Sequence, residues 1–150
     1  RSRIALINHD LSYKYARLRE RGYKSVIHLR DLDYQAVEYA SELSSGAGMA
    51  AMQNLLKANP PDAVFAVSDT LAAGALRAIQ QAGLRVPEDI AVVGFDGTEL
   101  AEMISLTTIE QPSRDIGRKA VNLLLNKIDN PDAPTERVMM DWRFISRAST

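Results

Sequence analysis

At 150 residues the chain has the length of one compact domain and can bury a sizeable core without staples. With 46% hydrophobic and 25% charged residues, and 18 basic against 19 acidic side chains, its net charge of −1 gives no electrostatic footprint for nucleic acid. The absence of cysteine excludes a disulfide framework and a thiolate metal site, and no apolar run approaches the length of a membrane span.

Ile4-Ala5-Leu6-Ile7 is a short apolar run that reads as a buried strand. It begins so early that nothing before it reads as a signal peptide, and the chain is expected to be a fragment of something longer. Ser12 is expected to cap a helix running to about Gly22 or beyond. Val37 and Tyr39 alternate with polar neighbours, a weak strand signal. Ser44 and Ser45 are candidate caps for a helix through Leu55, Leu56 and Lys57, ended by Asn59-Pro60-Pro61. Ala63 to Val67 is a buried strand, Asp69 the expected cap of the next helix, and Gly83 its stop. Ile90 to Phe95 and the Thr-rich run Leu106 to Gln111 read as two more strands. Pro112 suits the first turn of a helix whose Ile116, Ala120, Leu124 and Ile128 share one face. Residues 130–134 form a Pro-rich turn, and Val138 to Ile145 is expected as a last strand. Strands alternate with helices almost throughout, so the fold class is α/β: a largely parallel sheet flanked by helices in three layers.

Gly46-Ala47-Gly48-Met49-Ala50-Ala51 reads G-x-G-x-x-A, close to a dinucleotide fingerprint, with Asp69 downstream. That motif needs a buried strand delivering the first glycine into a tight turn. Here the preceding residues are YQAVEYASELSS, and a strand ending near Tyr39 stops well short of Gly46. A loop entering a helix, with Gly48 permitting close packing, accounts for the pattern, so a Rossmann-type enzyme is disfavoured and no cofactor is expected. His9 and His28 lack partners at zinc spacing, and no nucleophile elbow, P-loop or H-E-x-x-H is present, so no metal ligand and no catalytic residue is assigned.

In parallel α/β sheets ligands bind beyond the carboxyl ends of the strands. Asn8, His9 and Asp10 follow the first strand; Ser68 and Asp69, Asp96, and Gln111 follow later ones. Tyr15 and Arg19 are four apart and share a helix face. Carboxylate, amide, hydroxyl and guanidinium around one cleft suit a polyol such as a sugar.

Four stretches then act together: AVFAVSDTLAAGALRAIQQAGLRVPEDIAVVGFDG (63–97), LTTIEQP (106–112), IGRKAVNLLL (116–125) and RFISRAST (143–150). In order and spacing they resemble the ligand-binding domain of the lactose-repressor/galactose-repressor family of bacterial transcription regulators, and IALIN…ARLRERGY (4–23) fits as well. The resemblance implies a periplasmic-binding-protein-like fold, a small-molecule effector, most often a sugar or nucleobase, held between two lobes, and dimeric or tetrameric assembly. It implies operator DNA contact only through a headpiece that this chain lacks, a cytoplasmic location and no membrane association. It assigns residues 1–111 to the C-terminal lobe, 112–130 to a helix belonging with the N-terminal lobe, and 137–150 to the final strand and tail.

Effector contacts in that family fall on Arg19, Asp96, Gln111 and Ser68, with a looser match at Tyr15. Ser68 stands where asparagine is frequent, and serine offers a shorter reach. Gly48 matches the glycine at the start of the second helix. The dimer face implied by the resemblance comprises Ala73 and Arg77 with Met103 and Ile104. Alone, the chain is expected to bind effector weakly and to expose the stripe around Ile116, Ala120 and Leu124. A periplasmic sugar-binding transport protein is the alternative; VPEDIAVVGFD favours the regulator.

Overall fold

The computed structural model describes residues 1–150. Six strands, β1 (Ile4–Asn8), β2 (Ala36–Tyr39), β3 (Ala63–Ala66), β4 (Ala91–Asp96), β5 (Thr107–Glu110) and β6 (Arg143–Ile145), form one sheet in the order β2-β1-β3-β4-β5-β6. All pairings are parallel except β5 with the short terminal β6. Five helices connect them: α1 (Lys14–Leu29), α2 (Ser45–Ala58), α3 (Asp69–Gln81), α4 (Glu99–Met103) and α5 (Ser113–Asp129).

The chain steps from β1 outward to β2, then reverses to β3 and onward. Right-handed crossovers therefore place α1 on one face and α2 and α3 on the other. The reversal between β1 and β3 is a topological switch point, where the loops after the strands diverge and open a crevice. This is the three-layer α/β architecture that the alternation of strands and helices implies.

The core lies mainly between the sheet and the α2–α3 layer. Met52, Leu71, Ile79, Val64 and Val92 are fully or almost fully buried there. The two helices cross at glycines: a Cβ on Gly48 would stand 2.3 Å from the Leu71 carbonyl oxygen, and one on Gly74 2.0 Å from that of Ser45. Gly46 faces open space apart from the Ser44 hydroxyl at 3.7 Å. The glycine pair is thus a helix start in which one member serves packing, and no strand leads into it. Ser44 caps α2, its hydroxyl accepting from the Ala47 amide.

Three expectations need correction. Ser12 does not cap α1; Tyr13 holds that position without a side-chain bond, and the Ser12 amide instead donates to the Asp10 carboxylate. Asp69 does not cap α3. Ser68 does, accepting from the Leu71 amide at 3.2 Å, because the cap lies one residue earlier than the sequence pattern suggests. Val138 to Trp142 stay outside the sheet, since β5 pairs only with Arg143–Ile145. Between β4 and β5 the segment 98–104 contains α4.

The last residues close the amino end of β4 and β5. The Ser149 hydroxyl accepts from the Thr107 amide and donates to the Val92 carbonyl, and the Val92 amide donates to the Ser149 carbonyl. By contrast α5 buries none of its residues: Leu124 is 60% and Ile128 62% exposed. The stripe Ile116, Ala120, Leu124 and Ile128 is therefore open, as expected for this chain alone.

Candidate functional site

A cleft of about 340 Å³ opens at the carboxyl ends of the strands, lined by Tyr15, Arg19, Leu43, Val67, Ser68, Asp96 and Gln111. All five expected effector residues are brought together here from four separate places in the chain. Tyr15 and Arg19 come from successive turns of α1, Ser68 from the β3–α3 junction, Asp96 from the end of β4, and Gln111 from just beyond β5.

Arg19, Asp96 and Gln111 form one chain of contacts. Gln111 Nε2 donates to Asp96 Oδ1 at 2.9 Å, and the Arg19 guanidinium stands 3.5 Å from the same oxygen. Another Arg19 N–H donates to the Val67 carbonyl at 2.5 Å. The guanidinium carbon lies 3.6 Å from the centroid of Phe95 and 5.0 Å from that of Tyr15. Burial pulls the Arg19 pKa below its ordinary value, against the attraction of Asp96. Burial likewise pushes the Asp96 carboxyl above the usual range, opposed by Arg19 and reinforced by the charge of Asp69. Arg19 and Gln111 thus share one oxygen of Asp96. A polyol could insert among them, its hydroxyls donating to the carboxylate and accepting from guanidinium and amide.

Asp96 has φ of +118°, in the region that favours glycine, and Gly97 follows at +72°. A Cβ on Gly97 would stand 2.6 Å from the Glu110 Cα, so the turn is compact as well as left-handed. It lets β4 end with Asp96 beside Gln111 while the chain departs for α4.

Two candidates at the strand ends face elsewhere. Asp69, 1% exposed, turns inward: its carboxylate accepts from the Thr98 amide at 2.7 Å, the Thr98 hydroxyl at 2.9 Å and the Thr108 hydroxyl at 2.6 Å. It pins the start of α4 to β5, and Gly94 leaves room for it, since a Cβ there would meet Asp69 Oδ1 at 2.5 Å. Asn8 turns toward α1, donating to the Ala16 carbonyl and to Glu20 Oε2. His9 is buried and meets the Tyr15 hydroxyl at 3.2 Å through Nδ1, supporting the wall of the cleft from behind. Glu20 is buried; desolvation raises its pKa, but hydrogen bonds from Lys24, Asn8 and Tyr39 outweigh it and hold the carboxyl below its ordinary value.

Leu43, Val67 and Phe95 were not singled out in the sequence. Leu43 directly precedes the cap of α2, beyond the carboxyl end of β2, so the strand-end rule could have found it. Val67 acts through its backbone carbonyl, which no side-chain pattern reveals. On the expected dimer face Met103 is 82% exposed and Arg77 is exposed, whereas Ala73 is partly buried and Ile104 packs partly against the core. No helix is long and apolar enough to cross a membrane.

Comparison with known proteins matches residues 1–150 to the periplasmic binding protein-like domain. The ribose operon repressor of Haemophilus influenzae is 36% identical over 153 residues, covering 98% of this chain and 46% of the repressor. The chain thus spans about half the length of the curated relatives it matches. Among solved structures, an uncharacterized protein from Actinobacillus succinogenes superposes with a TM-score of 0.93 at 48% identity, covering 99% of this chain and 56% of that one. The transcriptional regulator CelR in complex with cellobiose superposes with a TM-score of 0.92 at 33% identity, covering 99% of this chain and 47% of that one. Sheet order, the strand-end cleft and these matches agree: the chain belongs to the periplasmic binding protein-like family, as an effector-binding domain of the lactose-repressor/galactose-repressor type.

Proposed function

We propose that this chain is the effector-sensing part of a bacterial transcription regulator, and that its effector is a sugar or a similarly polyhydroxylated small molecule. The observation that carries the reading is the convergence of Tyr15, Arg19, Ser68, Asp96 and Gln111 on one cleft. Each supplies a directional hydrogen-bonding group, and no cluster of residues is arranged to hold a metal ion. In this reading the site binds and performs no chemistry. The names of the relatives, a ribose operon repressor and a regulator complexed with cellobiose, support a sugar.

Sensing follows from differential binding. Half of the cleft is on this chain, and the other half belongs to a lobe outside residues 1–150. Ligand bridging the two stabilises one lobe arrangement over another by as much as its affinity for them differs. Residues 1–111 are the C-terminal lobe, 112–130 the helix that belongs with the other lobe, and 137–150 the closing strand and tail. The exposed apolar face of α5 supports this division, because such a face needs a covering surface. Assembly is a homodimer or tetramer, through Ala73, Arg77, Met103 and Ile104. Operator DNA is contacted by a headpiece outside the chain, and the protein works in the cytoplasm. A periplasmic sugar carrier would use the same cleft; relatives named as repressors and regulators favour the regulator.

The test is calorimetric titration of the full-length protein across a sugar panel. Arg19→Ala is expected to weaken binding of the responding sugar by about 1–3 kcal/mol. Unchanged affinity would remove Arg19 from the site.

A further inference from the structure

The polar partners of Arg19 hold one edge of its guanidinium but do not fix its plane. A guanidinium carries five N–H donors. One goes to the Val67 carbonyl, and the nearest carboxylate oxygen, at 3.5 Å, is already engaged at 2.9 Å by Gln111. A contact at 3.5 Å orients weakly. Tyr15 lies on the same helix as Arg19 and cannot tie it to the sheet. Phe95 can. Its ring centroid lies 3.6 Å from the guanidinium carbon, well inside the range of a cation–π contact. The Arg19 side chain is only 16% exposed, so the cation is partly desolvated and the ring face attracts it more strongly than it would in water.

Phe95 is itself firmly placed. It sits on β4 two residues beyond Val93, which is in register with Phe65, and the two phenyl rings lie 6.4 Å apart at 46°. Its ring lines two apolar cavities on the α1 face of the sheet, one of about 360 Å³ with Ile4, Tyr23 and Phe65, the other of about 310 Å³ with Ile109 and Trp142. Arg19 lines both the first of these and the polar cleft. The Arg19–Phe95 stack is therefore the partition between the cleft and the apolar face.

We propose that Phe95 is a positioning residue for effector binding: its ring face fixes the plane of the Arg19 guanidinium in the cleft. The inference rests on the reading of Arg19 as an effector contact. Phe95→Leu keeps an apolar side chain but removes the quadrupole, and is expected to weaken binding roughly tenfold where Phe95→Tyr does not. In an Arg19→Ala background Phe95→Leu is expected to cost nothing further, whereas a purely structural role would cost the same in both backgrounds.

The experiment uses the full-length protein with ¹⁵N-labelled arginine side chains, the Arg19 signal being identified by its loss in Arg19→Lys. The Arg19 Nε–Hε proton is expected upfield, shifted by the ring current, with a nuclear Overhauser contact to the Phe95 ring in the unmutated protein. Absence of that contact overturns the proposal even if Phe95→Leu fails to fold. D-ribose and cellobiose are then titrated against the same signal. If a sugar moves it and Phe95→Leu binds that sugar as tightly as the parent, the proposal is overturned. If the ring contact is present and neither sugar moves the signal, the role of Phe95 in sugar binding is overturned together with the effector reading for these sugars, and only the stacking remains. A sugar response weakened by Phe95→Leu only when Arg19 is present supports both.

Discussion

On one face of the sheet α2 and α3 close over Val64, Ala66 and Val92, crossing so tightly that only glycine fits at positions 48 and 74. On the other, α1 covers β1 while Phe65, Phe95 and Ile109 line open apolar cavities and α5 stands with no buried residue. The first face is closed by its own helices and holds most of the buried core. The second borders the polar cleft at the strand ends and leaves its apolar residues open. Closed packing and an open cleft are thus divided between the two sides, and the contrast can be probed by substitution.

The largest effect is expected at the closed face. Gly74→Ala places a methyl group against backbone that cannot yield, and should cost about 3 kcal/mol by urea denaturation. Gly117→Ala on α5, where no atom lies within 4 Å of the added Cβ, should instead stabilise by up to about 1 kcal/mol. Leu124→Ala sharpens the contrast differently. In residues 1–150 alone it should change stability by less than about 0.5 kcal/mol, and in the full-length protein by roughly 2 kcal/mol or more. Equal small effects in both would show that α5 has no covering lobe. Asp69→Ala should cost about 2 kcal/mol by leaving the Thr98 amide and the Thr108 hydroxyl without their acceptor.

The smallest effect concerns Glu20, whose carboxyl is held below its ordinary value. A depressed carboxylate stabilises the fold fully above its unfolded pKa and loses that contribution as pH falls through the lower native value. The stability advantage of the parent over Glu20→Gln should therefore persist through neutral pH and shrink on acidification below the ordinary carboxylate range. A pH-independent difference would deny Glu20 this role.

The regular half of the fold was legible because its signals are local. The apolar runs around Leu6, Val64 and Val92 announce strands, Ser44 announces a cap, and Gly83, at φ +74°, ends α3. Asp69 misled because sequence cannot show whether a carboxylate turns back on its own helix or across to Thr98 and Thr108. Val138 and Trp142 are strand-forming residues, but β5 offers the segment 138–142 no pairing partner. In the cleft, the polar side chains could be named from strand ends and the family resemblance. The Val67 carbonyl and the Phe95 ring could not, since one is backbone and the other reads as ordinary core.

The most direct test is the structure of the full-length protein with its effector bound. The expected result is a polyhydroxylated ligand in the cleft, with Arg19, Asp96 and Gln111 within hydrogen-bonding distance of its hydroxyls and the present Gln111–Asp96 bond opened or shared. A ligand seated elsewhere, with the Arg19–Asp96–Gln111 chain intact as it is here, would contradict the assignment of this cleft as the sensing site.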